Sequence, residues 1–454
     1  MSQSKERVNF GSRLGIILAT AGSAVGLGNI WRFPYMAGQN GGAAFIIVYV
    51  CCVLLLGIPC MVNEFIIGRH GASNTARAYT KLSNGTPWKW VGFLGVLTGF
   101  LITGYYCVVS GWCLQYVYGA LTGTMDGDAT YVQRYFAEFT ASPVKPVVWA
   151  LLFLVITHVV IVRGVENGIE RASKMMMPTL FVLLLIIVVA SCLLPGAERG
   201  ISFLFKPDFS KVDSGVFLGA LGQSFYSMSI AMGCLCTYAS YFTRQTNLVK
   251  SAVQISLIDC LVAILAGLMI FPAAFSVGIS PDSGASLVFI TLPNVFHQAF
   301  AAMPVVGFVV SVLFYLLLAL AALTSLISLH EVSTAFFQEE LHISRGSAAT
   351  IVTVSCGIIG VFCSLSLGAY EGLSLFGKSL FDVFDFVTGQ IFLPIGGFLT
   401  CLFVGWYVPK QVLHDELTNW GTVSGALYGV YLFCVRFVCP VCILLVFLNQ
   451  LKVI

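Results

Sequence analysis

The chain has 454 residues, of which 58% are apolar or aromatic and only 9% are charged, and its mean hydropathy is +0.92. A soluble domain keeps about a quarter of its residues charged because its surface faces water, so this composition excludes a water-facing globule. The balance of 23 Lys+Arg against 20 Asp+Glu leaves a net charge of +3, too small an excess to point to a nucleic-acid partner.

Charge-free runs such as 14–31, 41–63 and 90–125 are each long enough to cross a bilayer, which takes roughly 20 apolar helical residues. A barrel would alternate polar and apolar residues over about 10 positions, and no such alternation dominates here. The expected fold class is all-α integral membrane, with a single domain over 1–454. The first crossing, 14–36, is broken by glycines and has no small-residue cleavage site, so it reads as a retained helix and not a signal peptide. Further crossings are expected at 41–68, 89–122, 146–163, 172–195, 214–241 and 247–278. Residues 280–300, with Pro281 and Pro293, read as a hairpin-like outer loop, and crossings at 302–338, 347–366, 375–406 and 422–450 complete eleven.

An odd number of crossings puts the termini on opposite sides. With the N-terminus in the cytoplasm, fourteen Lys and Arg fall in cytoplasmic segments and seven in outer ones, while Arg32 and Arg436 lie within crossings. This bias supports a cytoplasmic N-terminus and an outer C-terminus.

Crossings one and six share an oddity. The first carries Gly22, Gly26 and Gly28 in mid-span; the sixth carries Gly219, Gly222 and Gly233 among Ser224, Ser227 and Ser229. Their spacing suggests two five-helix halves of opposite orientation, 14–195 and 214–406, with 422–450 as an extra helix. Interrupted helices at matching places in two halves mark a transporter's binding site. Arg32, Glu64, Asp259, Glu331, Asp382, Asp385 and Arg436 carry charge within or at the ends of crossings, where each needs a partner or water. Most of the 15 cysteines lie in apolar runs as small hydrophobes, and Cys439 and Cys442 have C-x-x-C spacing with no histidine near them. The six histidines form no metal-ligand or catalytic spacing, so no enzyme is indicated.

The run Gly22-Ser-Ala-Val-Gly-Leu-Gly-Asn-Ile-Trp-Arg-Phe-Pro34, followed by Asn40-Gly-Gly-Ala-Ala-Phe45 and Gly57-Ile-Pro59 with Glu64, strongly resembles the neurotransmitter:sodium symporter family. The resemblance continues through Gly168-Ile-Glu-Arg171, Gly222-Gln-Ser-Phe225, Thr237-Tyr-Ala-Ser-Tyr241 and Leu323-Thr-Ser325, in the family's order and over nearly the whole chain. It is closest to the family's bacterial eleven-helix, multi-hydrophobic amino acid branch.

The resemblance implies two inverted five-helix repeats with helices 1 and 6 unwound at mid-membrane, and two Na⁺ sites. One is expected from the carbonyls of Gly22, Val25 and Ala321 with the hydroxyls of Thr324 and Ser325; the other from the Ala24 carbonyl, Asn29, Ser227, Asp259 and the substrate's carboxylate. Many relatives have Asn where this chain has Asp259, and chloride-dependent ones have Ser where it has Ala263, so a fixed carboxylate is expected to replace chloride. Monoamine carriers place an Asp where this chain has Gly26, which implies a ligand that brings its own carboxylate, an amino acid. The implied substrate residues are Ala24, Leu27, Gly28, Ile102, Tyr106, Tyr226, Ser229, Met232, Ser325 and Leu329. None is charged, which favours a large neutral side chain. Arg32 and Asp385, helped by Gln223, resemble the outer gate. Arg7 and Glu339, with Tyr241 and Glu331, resemble the inner one. Gly168 and Pro178 resemble a motif whose unwinding opens a water path to the Thr324 site.

The resulting expectation is a sodium-coupled, chloride-independent symporter for a large neutral L-amino acid, working by alternating access as a monomer or weak dimer in the bilayer. Proton coupling, suggested by His330 beside Glu331, is the alternative; a non-transporting amino-acid sensor would need an appended domain for which the short termini leave no room. The sole N-x-[ST], at Asn84, falls on the expected cytoplasmic side, and the outer loop after crossing three lacks a cysteine pair, so a prokaryotic cytoplasmic membrane is expected.

Overall fold

The computed structural model describes residues 9–125, 127–278, 287–370 and 372–453. The chain opens with α1 (Arg13–Ala24) and α2 (Gly28–Gln39), bent by 54° at the break between them. There follow α3 (Ala43–Gly71), α4 (Thr75–Ser83), α5 (Lys89–Thr122), α6 (Ala129–Ala141), α7 (Lys145–Val162) and α8 (Val165–Cys192). Next come α9 (Ala197–Phe205), α10 (Ser214–Ser227), α11 (Cys234–Ala239), α12 (Leu248–Ser276), α13 (Leu292–Ala299), α14 (Pro304–Glu340) and α15 (Arg345–Leu365). A two-stranded hairpin, β1 (Ser374–Leu375) and β2 (Lys378–Ser379), precedes α16 (Leu380–Tyr407), α17 (Lys410–Leu417) and α18 (Tyr428–Gln450).

Among the described residues, nine helices are long and apolar enough to cross a membrane, or ten if α1 and α2 form one bent span. The expected sixth crossing is the pair α10 and α11, separated by Met228–Gly233, and each piece alone is too short to span. The helix boundaries follow local chemistry. Ser12, Asn74, Asp213, Asn247 and Ser344 accept the N–H two or three residues on and so cap their helices. On α7, Val148, Leu151, Leu152, Val155, Ile156 and Val159 form an exposed stripe at helical spacing, the signature of a face turned to lipid.

Two sequence expectations are corrected. The segment 280–300 is not a hairpin loop where it is described: Leu287–Ala299 is helical, because Pro293 occupies the first turn of α13, where its missing N–H goes unused. Residues 279–286, including Pro281, lie outside the described residues. The tenth crossing starts at Leu380 and not at 375, because Gly377, at φ +73°, turns β1 into β2 and Ser379 then caps the helix through the Asp382 N–H.

The helices approach closely where side chains are smallest. A Cβ on Gly111 of α5 would stand 2.5 Å from the Ala150 nitrogen of α7, and one on Gly68 of α3 would collide with the Cys236 carbonyl of α11. This second contact seats the short α11 against α3 and so positions the break before it.

Candidate functional site

Both broken spans meet at the centre of the molecule. At the first, Val25 leaves the helix with extended backbone (φ −73°, ψ 107°), and Asn29 bridges the break by accepting the Gly26 N–H at 3.0 Å. At the second, Ser229 and Ala231 adopt positive φ of 53° and 67°, which L-residues hold only under constraint. The constraint is Glu64, which accepts the backbone N–H of Ala231 at 2.5 Å and of Cys236 at 3.3 Å. A buried carboxylate thus replaces the helical partners these N–H groups have lost.

The expected Asp259 cluster comes together. Its carboxylate accepts from the Asn29 amide at 2.7 Å, the Ser227 hydroxyl at 2.9 Å and the Tyr49 hydroxyl at 3.0 Å, and Asp259 is fully buried. Tyr49 was not anticipated, since a tyrosine in an apolar run reads as packing. Three oxygen-bearing side chains around one carboxylate suit a hard cation. In the other expected cluster, the Thr324 hydroxyl lies 3.3 Å from the Val25 carbonyl and 3.0 Å from that of Ala321, and a Cβ on Gly22 would touch Thr324 at 3.4 Å. Gly22, Val25, Ala321 and Thr324 therefore share one site, while the Ser325 hydroxyl turns to Gly26.

Between these clusters lies a cavity of about 60 Å³. All ten expected substrate residues line it: Ala24, Leu27, Gly28, Ile102, Tyr106, Tyr226, Ser229, Met232, Ser325 and Leu329. Ser23, Gly26, Ser227 and Cys234 join them. A Cβ at Gly26 would meet the Ser325 hydroxyl, so a side chain there would require Ser325 to rotate away. Ser229 donates to the Ser23 carbonyl at 2.8 Å and ties the two breaks together. A larger cavity of about 260 Å³, bordered by Met125, Phe296 and Tyr315, lies away from both breaks.

The residues expected as gates are found with the following partners. Arg32 lies over the Tyr226 ring, 4.5 Å from its centroid, and among the described residues it forms no ion pair with Asp385. Asp385 instead accepts from the Tyr105 hydroxyl at 3.2 Å, and Gln223 donates to the Gly28 carbonyl at 3.3 Å. At the other end, Glu331 accepts from Tyr241 at 2.7 Å and from both terminal nitrogens of Arg345, at 3.0 and 2.5 Å. Glu339 accepts from the backbone and side-chain nitrogens of Asn74 at 2.8 and 3.0 Å. Arg7 lies outside the described residues. His330 does not face Glu331: its ring nitrogens meet Thr334 and Thr353, each at 2.9 Å.

Sequence reasoning also missed Glu170. At the start of α8, between Gly168 and Pro178, it accepts from Gly11 N–H at 2.7 Å, from Ser12 at 2.8 Å and from Lys174 at 2.6 Å, fastening the segment before α1 to α8. Only its neighbour in the motif had drawn attention.

Two interrupted spans with a cavity where they meet are the arrangement of a multi-pass membrane transporter. The sequence profile of the Sodium:neurotransmitter symporter family matches residues 7–138 and 130–454, and the chain belongs to this family. It is 37% identical over the full length of both chains to the uncharacterized sodium-dependent transporter YhdH of Bacillus subtilis. It is 23% identical to the human sodium- and chloride-dependent GABA transporter 2, over 91% of this chain and 75% of that one. Its fold matches the crystal structure of MhsT in complex with L-phenylalanine with a TM-score of 0.87 and 41% identity, covering 98% of this chain and all of the other. The protein is a sodium-coupled transporter and not an enzyme.

Proposed function

We propose that the chain takes up a large neutral L-amino acid together with Na⁺ and without chloride. The observation that carries this reading is the uncharged, mostly apolar cavity between the two breaks, flanked by the buried Asp259 cluster. The Gly28 N–H and Tyr106 hydroxyl would hold the substrate carboxylate, carbonyls freed at the breaks would hold its amino group, and Leu27, Ile102, Met232 and Leu329 would surround its side chain. Met232 can change rotamer to fit ligands of different size. That MhsT, at 41% identity, was crystallised with L-phenylalanine supports the substrate class.

Two Na⁺ ions would be cargo. One would take Gly22, Val25, Ala321, Thr324 and Ser325. The second would take Ala24, Asn29, Ser227, Asp259 and the substrate carboxylate, which makes ion and substrate binding reciprocally coupled. The negative charge of Asp259 stands where chloride would otherwise balance the ion. Alternating access follows if the ligands bind two closures with different affinity. The bent α1–α2 pair and the interrupted α10–α11 pair support eleven crossings in two inverted repeats; the excess of loop cations on one side supports an N-terminus in the cytoplasm of a prokaryotic cell, and the unit would be a monomer or weak dimer.

Uptake of labelled L-phenylalanine or L-leucine into proteoliposomes tests the proposal. Replacing external Na⁺ by choline should abolish uptake, and replacing chloride by gluconate should leave it unchanged. Uptake that survives in choline overturns sodium coupling, and uptake lost in gluconate overturns chloride independence.

A further inference from the structure

Cys60 of α3, Cys401 of α16 and Cys439 of α18 converge away from the transport cavity. Their three Sγ atoms all lie within 4.8 Å of one another, Cys60 and Cys401 stand 3.6 Å apart, and each residue is at most 2% exposed. Among the described residues this is the one place where three such metal-ligating side chains meet. Cys442, the other half of the C-x-x-C spacing, is not part of it, so the grouping is made by helix packing and not by local sequence.

The surroundings select the kind of occupant. Asn63 donates its amide N–H to the Cys401 sulfur at 3.6 Å, while its carbonyl is taken by the Tyr431 hydroxyl at 2.6 Å. The amide thus presents a donor, which supports negative charge on sulfur but cannot ligate a cation. No carboxylate or imidazole belongs to the cluster. Hard cations such as Na⁺ and Mg²⁺ seek oxygen, and Zn²⁺ in a structural site seeks a fourth protein ligand.

We propose that Cys60, Cys401 and Cys439 form a trigonal sulfur site for a soft monovalent cation, Cu(I). Three sulfurs around a metal at a bond length of about 2.3 Å stand roughly 4 Å apart, close to the spacing the packed helices already impose. Loading forms three Cu–S bonds and releases three thiol protons to the medium, since cysteine ligates a metal as the thiolate; the centre carries a net charge of −2, toward which Asn63 directs its amide N–H, and copper stays monovalent throughout. The bound ion would join α3 to α16 and α18 across 341 positions of sequence between Cys60 and Cys401.

The test is an anaerobic titration of the purified, reduced full-length protein with Cu(I) delivered as its bicinchoninate complex. The wild type should withdraw one equivalent per chain, and x-ray absorption should report three sulfur neighbours. Cys401→Ser and Cys60→Ser should each weaken binding at least tenfold, while Cys442→Ser should leave it unchanged. Equal loss in Cys442→Ser and Cys439→Ser, unchanged binding in Cys401→Ser, or two sulfur neighbours would overturn the proposal. Should a serine variant fold poorly, the wild type decides alone: its thermal midpoint should rise and saturate at one equivalent of Cu(I), and an unmoved midpoint contradicts the site. Sodium-dependent uptake is a separate readout, so failure here leaves the transport reading standing.

Discussion

At the Arg32 end of the path, a half-buried guanidinium rests on the Tyr226 ring and Asp385 holds one tyrosine hydroxyl. At the Glu331 end, a carboxylate with no exposure receives Tyr241 and a bidentate Arg345, and Glu339 receives two nitrogens of Asn74. A cation–π contact is worth about 0.5–1 kcal/mol at a partly wet site, whereas removing one partner of a buried charge pair costs about 3–5 kcal/mol. The difference teaches that the two ends are held unequally: the Arg32 end by a ring contact and one hydroxyl, the Glu331 end by several charge-assisted bonds.

The largest effect should come from breaking the tighter end. Glu331→Gln leaves Arg345 beside a neutral group, and we expect a loss of about 3–5 kcal/mol, read as a lower thermal midpoint and uptake reduced to background. If uptake and midpoint both match the wild type, the two ends are not unequal in the way described.

Glu64→Gln should rank second. It retains one acceptor for the Ala231 and Cys236 N–H groups but removes the charge, an effect of about 1.5–3 kcal/mol for charge-assisted bonds. The break before α11 should loosen, so substrate affinity falls along with the midpoint. A variant with normal affinity would show that Ser229 and Ala231 keep their left-handed backbone without the carboxylate.

Arg32→Lys should rank third. It keeps the charge but loses the planar stack on Tyr226, and a change of about 0.5–1 kcal/mol corresponds to roughly two- to fivefold in substrate affinity. A larger loss than in Glu331→Gln would reverse the comparison. At the bottom of the scale, Arg134→Ala removes an exposed pair with Glu138 at 3.8 Å and an exposed contact with the Tyr131 ring, and uptake and midpoint should stay within error of the wild type.

The same contrast separates what could be read from the residues from what could not. The lipid-spanning helices are legible because apolar length has a direct physical meaning, and Lys89–Thr122 matches its expectation at both ends. Glycine runs betray the two breaks, and the motif order points to ten of the fourteen cavity residues. Partners of buried acids are not legible. Glu64 is satisfied by backbone N–H groups that every residue possesses, and Arg345 counts in the sequence as one more loop cation until packing brings it to Glu331. Glu170 holds Gly11 and Ser12 from 159 and 158 positions away. The cysteine trio is hidden for the same reason: its spacing in sequence carries no metal signature, and only the contact of three helices creates it.

The central claim is that Na⁺ and an amino acid share the site between the breaks through Asp259. Equilibrium binding of labelled L-phenylalanine to purified wild type and Asp259→Asn, each in sodium chloride, sodium gluconate and choline chloride, tests it most directly. The account predicts that the wild type binds equally in both sodium salts and not in choline, while Asp259→Asn binds at least tenfold more weakly in sodium gluconate. Wild-type binding that persists in choline, or an Asp259→Asn protein indistinguishable from the wild type in every salt, would contradict it.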